Sequence, residues 1–353
     1  MEYFEKYTSN TYAGSGNQLY FSTDGKISCG RVYYKISAGG KYNYSILYSN
    51  TIDSTFADGS KSYCNLDCKE WQIINAKIGR CEKIQENIVF KSLTFDGKSE
   101  KVVAPGEFFA TDPVEMELSM GDYLCIEITF SGDMIPYHEE TLLPVFVKDG
   151  EEWTASNKLP LAGMIGCDRK VAGKIVYFGD SITQGIGTKP NSYKHWNAIL
   201  SEKIGGDYSF WNLGIGYGRA SDGASNGVWL NKAKQSDIAF VCFGVNDLLN
   251  GRTKEQIKAD LERIIDLLKK DGKRVILQTI PPFDYKEEIA VSWKNINSYI
   301  KTELSKKVDY VFDDVRILGD KEKPEKSIYG GHPDEEGCRL WAEALYEEIK
   351  DII

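Results

Sequence analysis

Ile175-Val176-Tyr177-Phe178-Gly179-Asp180-Ser181-Ile182-Thr183-Gln184-Gly185 is the stretch from which the second half of this 353-residue chain can be read. Its first four residues form a continuous apolar run. A run apolar on both faces is what a parallel strand covered by helices requires. Gly179 follows at once, and then a serine. That order puts a hydroxyl at the tip of a strand, with the amides of the next turn directed at it.

Working downstream, further continuous apolar runs occur at Tyr208–Trp211, Ile238–Phe243, Val275–Ile280 and Tyr310–Phe312, separated by amphipathic segments. Thr253 and Gln256 have capping-box spacing ahead of Ile257, Leu261, Ile264, Ile265 and Leu268, and Gly272 stands where a C′ glycine belongs. A last helix is expected from about Asp334, burying Leu340, Trp341, Ala344, Leu345 and Ile349. Five strands with interleaved helices predict a three-layer, flavodoxin-like α/β domain with a parallel sheet over 171–353. Such sheets bind ligands at the carboxyl ends of their strands.

Upstream the period changes. Short alternating or β-branched runs recur at Arg31–Ile36, Tyr44–Tyr48, Ile88–Phe95, Val114–Leu118, Tyr123–Phe130 and Pro144–Val147. Turn pairs such as Asp24-Gly25, Asp58-Gly59, Asp96-Gly97 and Gly121-Asp122 separate them. With no helical pattern in between, residues 1–170 read as an all-β sandwich or jelly roll. Two domains also suit the length, which exceeds one ordinary core.

Composition narrows the class. Hydrophobic content of 42% and charged content of 27% describe a globular protein rather than a disordered one. The 43 Lys and Arg against 52 Asp and Glu leave a formal charge of −9, which disfavours nucleic acid or an anionic membrane as partner. The first residues have neither the basic flank nor the apolar stretch of a signal peptide, so the chain reads as cytoplasmic, or as secreted if a leader has been removed. Eight scattered cysteines, with no histidine beside the Cys64–Cys68 pair, suggest reduced thiols and no metal site. Gly214-Ile215-Gly216-Tyr217-Gly218 lacks the spacing and position of a dinucleotide loop. No cofactor is expected.

The strand ends carry the chemistry. The second run ends in Asn212-Leu213-Gly214-Ile215-Gly216-Tyr217-Gly218, the third in Gly244-Val245-Asn246-Asp247, and Gly331-His332-Pro333-Asp334 precedes the last helix. A hydroxyl, an imidazole, a side-chain amide and a glycine-rich backbone at one sheet edge are the parts of acyl transfer: nucleophile, base and oxyanion donors. His195 and His138 read as structural, the first on a helix and the second at a surface or between domains.

These four blocks, in this order, resemble the SGNH hydrolases, also called the GDSL family of esterases and lipases. The resemblance implies Ser181 as nucleophile and His332 as base. It implies an oxyanion hole from the Ser181 amide, the backbone at Gly216, Tyr217 or Gly218, and the Asn246 side chain; Asp180 and Asp247 support the loops. The upstream half resembles the β-sandwich that precedes the domain in carbohydrate esterase family 2.

Two positions depart from the family pattern. The aspartate three residues before the histidine is replaced by Tyr329, leaving a Ser–His dyad, or Glu325 or Asp334 as substitutes. The second-block glycine is replaced by Tyr217, which costs on the order of 1 kcal/mol if the loop requires positive φ there. The implied activity is hydrolysis of short acyl esters, acetyl on a sugar or oligosaccharide first. The alternatives are a general carboxylesterase, lysophospholipase or thioesterase, or a carbohydrate-binding protein with a weakened site. The partner is therefore a small-molecule or oligosaccharide ester, with no nucleic acid and no membrane; a homo-oligomer is compatible with the sequence.

Overall fold

A computed structural model describes residues 2–56, 62–86 and 88–353. The chain divides into two compact units, Met1–Val171 with Ser209–Trp211, and Ala172–Tyr208 with Asn212–Ile353. The Asp58-Gly59 turn lies outside the described residues.

The first unit is an antiparallel sandwich. One sheet runs in the order Thr8–Ser9, Met164–Cys167, Gly40–Ser49 and Phe108–Ala110, with Val114–Leu118 also pairing on Gly40–Ser49. The larger sheet runs Glu152–Ala155, Val145–Asp149, Ser28–Lys35, Tyr123–Gly132, Trp71–Cys81 and Phe90–Leu93, with Lys101–Val103 on Trp71–Cys81. Tyr48 and Phe109 of the first sheet stack at 5.4 Å, and Phe109 meets Trp71 of the second edge-on at 6.5 Å, so aromatic rings fill the space between the sheets.

The pattern reading missed Trp71–Cys81, the eleven-residue strand beside the sheet's centre. Its burial does not alternate cleanly, and its pairing with Tyr123–Gly132 shifts register at Thr129/Phe130, so no period-2 signal survives in the sequence. A single helical turn at Tyr3–Lys6 was also not foreseen. The surface reading of His138 is corrected: the residue is fully buried, with Nδ1 2.8 Å from the Gly16 carbonyl oxygen.

Five strands form a further sheet: β1 (Gly173–Gly179), β2 (Tyr208–Asn212), β3 (Ile238–Cys242), β4 (Arg274–Gln278) and β5 (Tyr310–Phe312). Their order is β2-β1-β3-β4-β5, and the β1–β3, β3–β4 and β4–β5 pairs are parallel. All five residues of β3 are buried, because helices cover both faces. Register sets Gly179 against Cys242 and Gln278 against Phe312, which brings the loops after these strands to one edge.

The helices obey their sequence signals. Thr253 and Gln256 form both bonds of the capping box of Lys254–Lys270, and Ile257, Leu261, Ile264, Ile265 and Leu268 are all buried. Asp334 caps Glu335–Ile349. The buried stripe of that helix is Cys338, Trp341, Ala342, Leu345 and Ile349; Leu340 and Ala344, expected inside, sit half-buried at its margin. Trp341 stacks on Trp196 at 4.9 Å and donates to Gln278 Oε1. All eight cysteines are free thiols, and all but Cys29 and Cys64 are buried.

Candidate active site

The chain leaves β1 through Gly179 because nothing larger fits: a Cβ there would stand 2.2 Å from Thr183 Oγ1 and 2.5 Å from the Cys242 carbonyl. Asp180 then caps the one-turn helix Ser181–Gln184, accepting from the Ile182 amide at 3.0 Å. That cap serves Ile182 and leaves the Ser181 N–H, at the first helical position, with no intrahelical acceptor. Gly185, at φ +114, ends the turn.

Ser181 Oγ lies 2.8 Å from His332 Nε2, across 151 residues of sequence. Burial pushes the His332 pKa below its ordinary value, and burial is the only cause. A neutral imidazole with a bare Nε2 is an acceptor for the serine proton. Neither expected substitute for the missing aspartate reaches this imidazole. Glu325 pairs with Lys294 at 3.0 Å, and Asp334 accepts from the Gly337 amide at 2.9 Å. Tyr329 packs against Gly337, where a Cβ would come within 2.6 Å of its own Cβ. Among the described residues, no carboxylate contacts His332.

The loop after β2 is laced to the Ser181 helix. Gly214 packs so closely that a Cβ would lie 2.1 Å from the Gln184 nitrogen. Asn212 accepts from the Gly214 amide at 2.9 Å and donates to Asn197 Oδ1 at 3.2 Å, while Asn197 donates to the Thr183 carbonyl. Sequence reading did not single out Asn197 or Gln184, since each acts across loops. The Gly216 amide donates to Gln184 Oε1 at 2.7 Å, and the Gly218 amide to the Ile215 carbonyl at 3.1 Å. Both amides are therefore turned into the loop. Between them Tyr217 takes φ +64, so the condition under which a tyrosine there is strained is met, and the residue is 40% exposed.

The loop after β3 starts at Gly244 (φ +130), where a Cβ would lie 2.4 Å from Ile280 Cδ1. Asn246 Nδ2 donates to the Gly218 carbonyl at 3.0 Å, and its second hydrogen remains for another acceptor. Tyr217 is thus bracketed by Gly216, tied to the Ser181 helix, and by Gly218, tied to Asn246. Asp247, fully buried, accepts from the Ala220 amide at 2.8 Å and faces Arg252 Nε at 3.2 Å, joining the two loops. Burial raises Asp247 to about 6 and Asp180 to about 7. Among the described residues, no three histidine, cysteine or acidic side chains gather as metal ligands.

The geometry supplies a hydroxyl on an imidazole, with amide groups on the loops after β2 and β3 tied to the same short helix and to each other; a nucleophile on a base is the starting point of nucleophilic acyl transfer. Residues 177–340 match the model of the GDSL-like lipase/acylhydrolase family. No curated protein matches the chain. Among solved structures, it is similar to a member of the lipolytic protein G-D-S-L family from Veillonella parvula, at 21% identity over 51% of this chain and 99% of that one, with a TM-score of 0.42. Est24, a carbohydrate acetylesterase from Sinorhizobium meliloti, is similar at 17% identity over 51% and 99%, with a TM-score of 0.39. The esterase EstA from Pseudoalteromonas sp. is similar at 17% over 50% and 97%, with a TM-score of 0.40. At these values the likenesses carry no information on substrate.

Proposed function

We propose that residues 177–340, which match the model of the GDSL-like lipase/acylhydrolase family, form a carboxylic ester hydrolase with Ser181 as nucleophile and His332 as base, acting on short acyl esters. The observation that carries this reading is the 2.8 Å contact between Ser181 Oγ and His332 Nε2 at the carboxyl edge of the sheet.

Ser181 Oγ attacks the ester carbonyl carbon while its proton passes to Nε2. The resulting oxyanion is held by the Ser181 N–H, the Tyr217 N–H and the second Asn246 Nδ2 hydrogen. As the tetrahedral intermediate collapses, the proton on Nε2 goes to the departing alkoxide, and an acyl-Ser181 ester remains. Water repeats the sequence, giving up its proton to Nε2, and the free acid leaves as Ser181 takes that proton back. The base is needed neutral, so the lowered pKa of His332 extends activity toward mildly acidic pH.

The favoured substrate is a short acyl group, acetyl first, on a carbohydrate alcohol. Support comes from the exposed Tyr217 ring beside the site, since sugar CH faces stack on such rings.

p-Nitrophenyl acetate hydrolysis by wild type, Ser181→Ala and His332→Ala tests the dyad. Turnover is expected to fall roughly 10³-fold or more in either variant. Variants that match wild type would remove Ser181 and His332 from the chemistry. Acetylated sugars against p-nitrophenyl esters of growing chain length then test the substrate class, with a preference for long acyl chains ruling out the acetyl-sugar reading.

A further inference from the structure

With no carboxylate behind it, His332 needs another means of keeping Nε2 on the serine. The ring of Phe283 meets the imidazole edge-to-face, with centroids 5.2 Å apart and planes at 83°. Such T-shaped pairs attract through their quadrupoles and resist rotation of either ring. Gly331 makes room for the contact: a Cβ there would stand 3.0 Å from two Phe283 ring carbons, so a larger residue would displace the ring by a few tenths of an ångström.

The segment carrying Phe283 is held on every side. Two prolines, Pro281 and Pro282, fix the backbone ahead of it. Asn297 Oδ1 accepts from the Ile280 amide at 2.8 Å, and Trp293 Nε1 and Asn297 Nδ2 donate to the Ile280 carbonyl at 2.8 and 3.0 Å. Tyr285 Oη donates to the Pro281 carbonyl at 3.1 Å. Rings continue the brace from Trp293 to Tyr285 at 5.8 Å and from Tyr285 to Phe283 at 6.3 Å. The Ser327 amide donates to Asp284 Oδ1 at 3.3 Å, joining this loop to the segment that leads to His332. A rigid arm therefore runs from the helix Glu287–Thr302 to the imidazole.

We infer that Phe283 is a positioning residue that holds the His332 imidazole on Ser181 by ring contact, in place of the carboxylate this loop lacks. The inference rests on the reading of Ser181 and His332 as nucleophile and base. A ring restrains orientation and keeps water from one side; it does not accept a hydrogen bond from Nδ1. Its removal should therefore be felt in the chemical step rather than in substrate binding.

The test is kcat and KM for p-nitrophenyl acetate, with thermal melting, on the full chain carrying Phe283→Ala, Phe283→Leu or Phe283→Tyr. Phe283→Ala should lower kcat roughly 10- to 100-fold, the scale of a displaced catalytic group, with KM within about twofold. Phe283→Tyr, which keeps the ring, should return kcat to within a few-fold of wild type, while Phe283→Leu, which keeps bulk alone, should stay low. If Phe283→Ala fails to fold, the Tyr and Leu variants decide alone. Wild-type kcat in Phe283→Ala, equal rescue by Leu and Tyr, or a loss confined to KM would each overturn the inference. Ser181→Ala runs beside them: if it keeps wild-type turnover, the underlying reading fails, whereas its collapse with an unaffected Phe283→Ala removes only the role of Phe283.

Discussion

Gly187 shows how tightly one residue can bear on the His332 contact. It takes φ +102, and a Cβ on it would stand 2.6 Å from the Pro333 carbonyl oxygen and 2.7 Å from that of His332. Backbone, not a flexible side chain, fills that space, so Gly187→Ala must push the His332 loop away as well as strain its own backbone. Loss of about 10²-fold in kcat/KM for p-nitrophenyl acetate is expected. Unchanged kinetics in a folded Gly187→Ala protein would show that the loop absorbs the methyl without moving the imidazole. Tyr217 is the converse case: a side chain kept at φ +64 where glycine would be unstrained. Its cost of about 1 kcal/mol is the kind of local strain that collects at functional sites.

At the scale of elements, the site is three loops fastened to one short helix. Gln184 is the main tie, since its Oε1 takes the buried Gly216 amide at 2.7 Å and its main chain is where Gly214 makes closest approach. Gln184→Ala takes the Oε1 acceptor away from that amide, at a cost of about 1–3 kcal/mol. The Tyr217–Gly218 segment is then free to drift from Ser181. A lowered Tm together with a kcat loss of roughly tenfold or more is expected. A lower Tm with wild-type kcat would mean that the loop keeps its place by packing alone. The capping box at Thr253 and the alternation of Val114–Leu118 were readable from sequence because their causes lie within one turn or one strand. Trp71–Cys81 was not, because its pairing partners and its bulge lie elsewhere in the chain.

For the whole molecule, buried acids set the response to pH. Burial holds Asp180 at about 7 and Asp247 at about 6, and it raises Asp314 as well. A carboxyl whose folded pKa lies above its unfolded value of about 3.9 is favoured protonated in the fold. Its contribution is complete below the unfolded pKa and is lost as pH rises through the folded one. Stability should therefore decline between about pH 4 and pH 7. Carboxyls held low by partners, such as Asp112 beside Thr94 and the Gly97 amide, act in the opposite sense and only as pH falls below the usual carboxylate range. The formal charge of −9 adds self-repulsion in the same direction as the buried acids. Urea midpoints should fall from pH 5 to pH 8, and Asp180→Asn, which keeps an acceptor for the Ile182 amide, should flatten the slope. A wild-type midpoint that holds steady or rises over that range would contradict this account.

Local residue patterns are enough to read the alternation that builds a parallel sheet after residue 171, the β character before it, and the chain order of the four blocks at the strand ends. Each of these is written in local periodicity or in residues that follow a strand directly. Tertiary structure decided which amides of Gly214–Gly218 turn inward, that Glu325 and Asp334 are engaged elsewhere, and that Phe283 rests on the imidazole. Those depend on distances between loops far apart in the chain, and sequence spacing does not specify where two such loops meet.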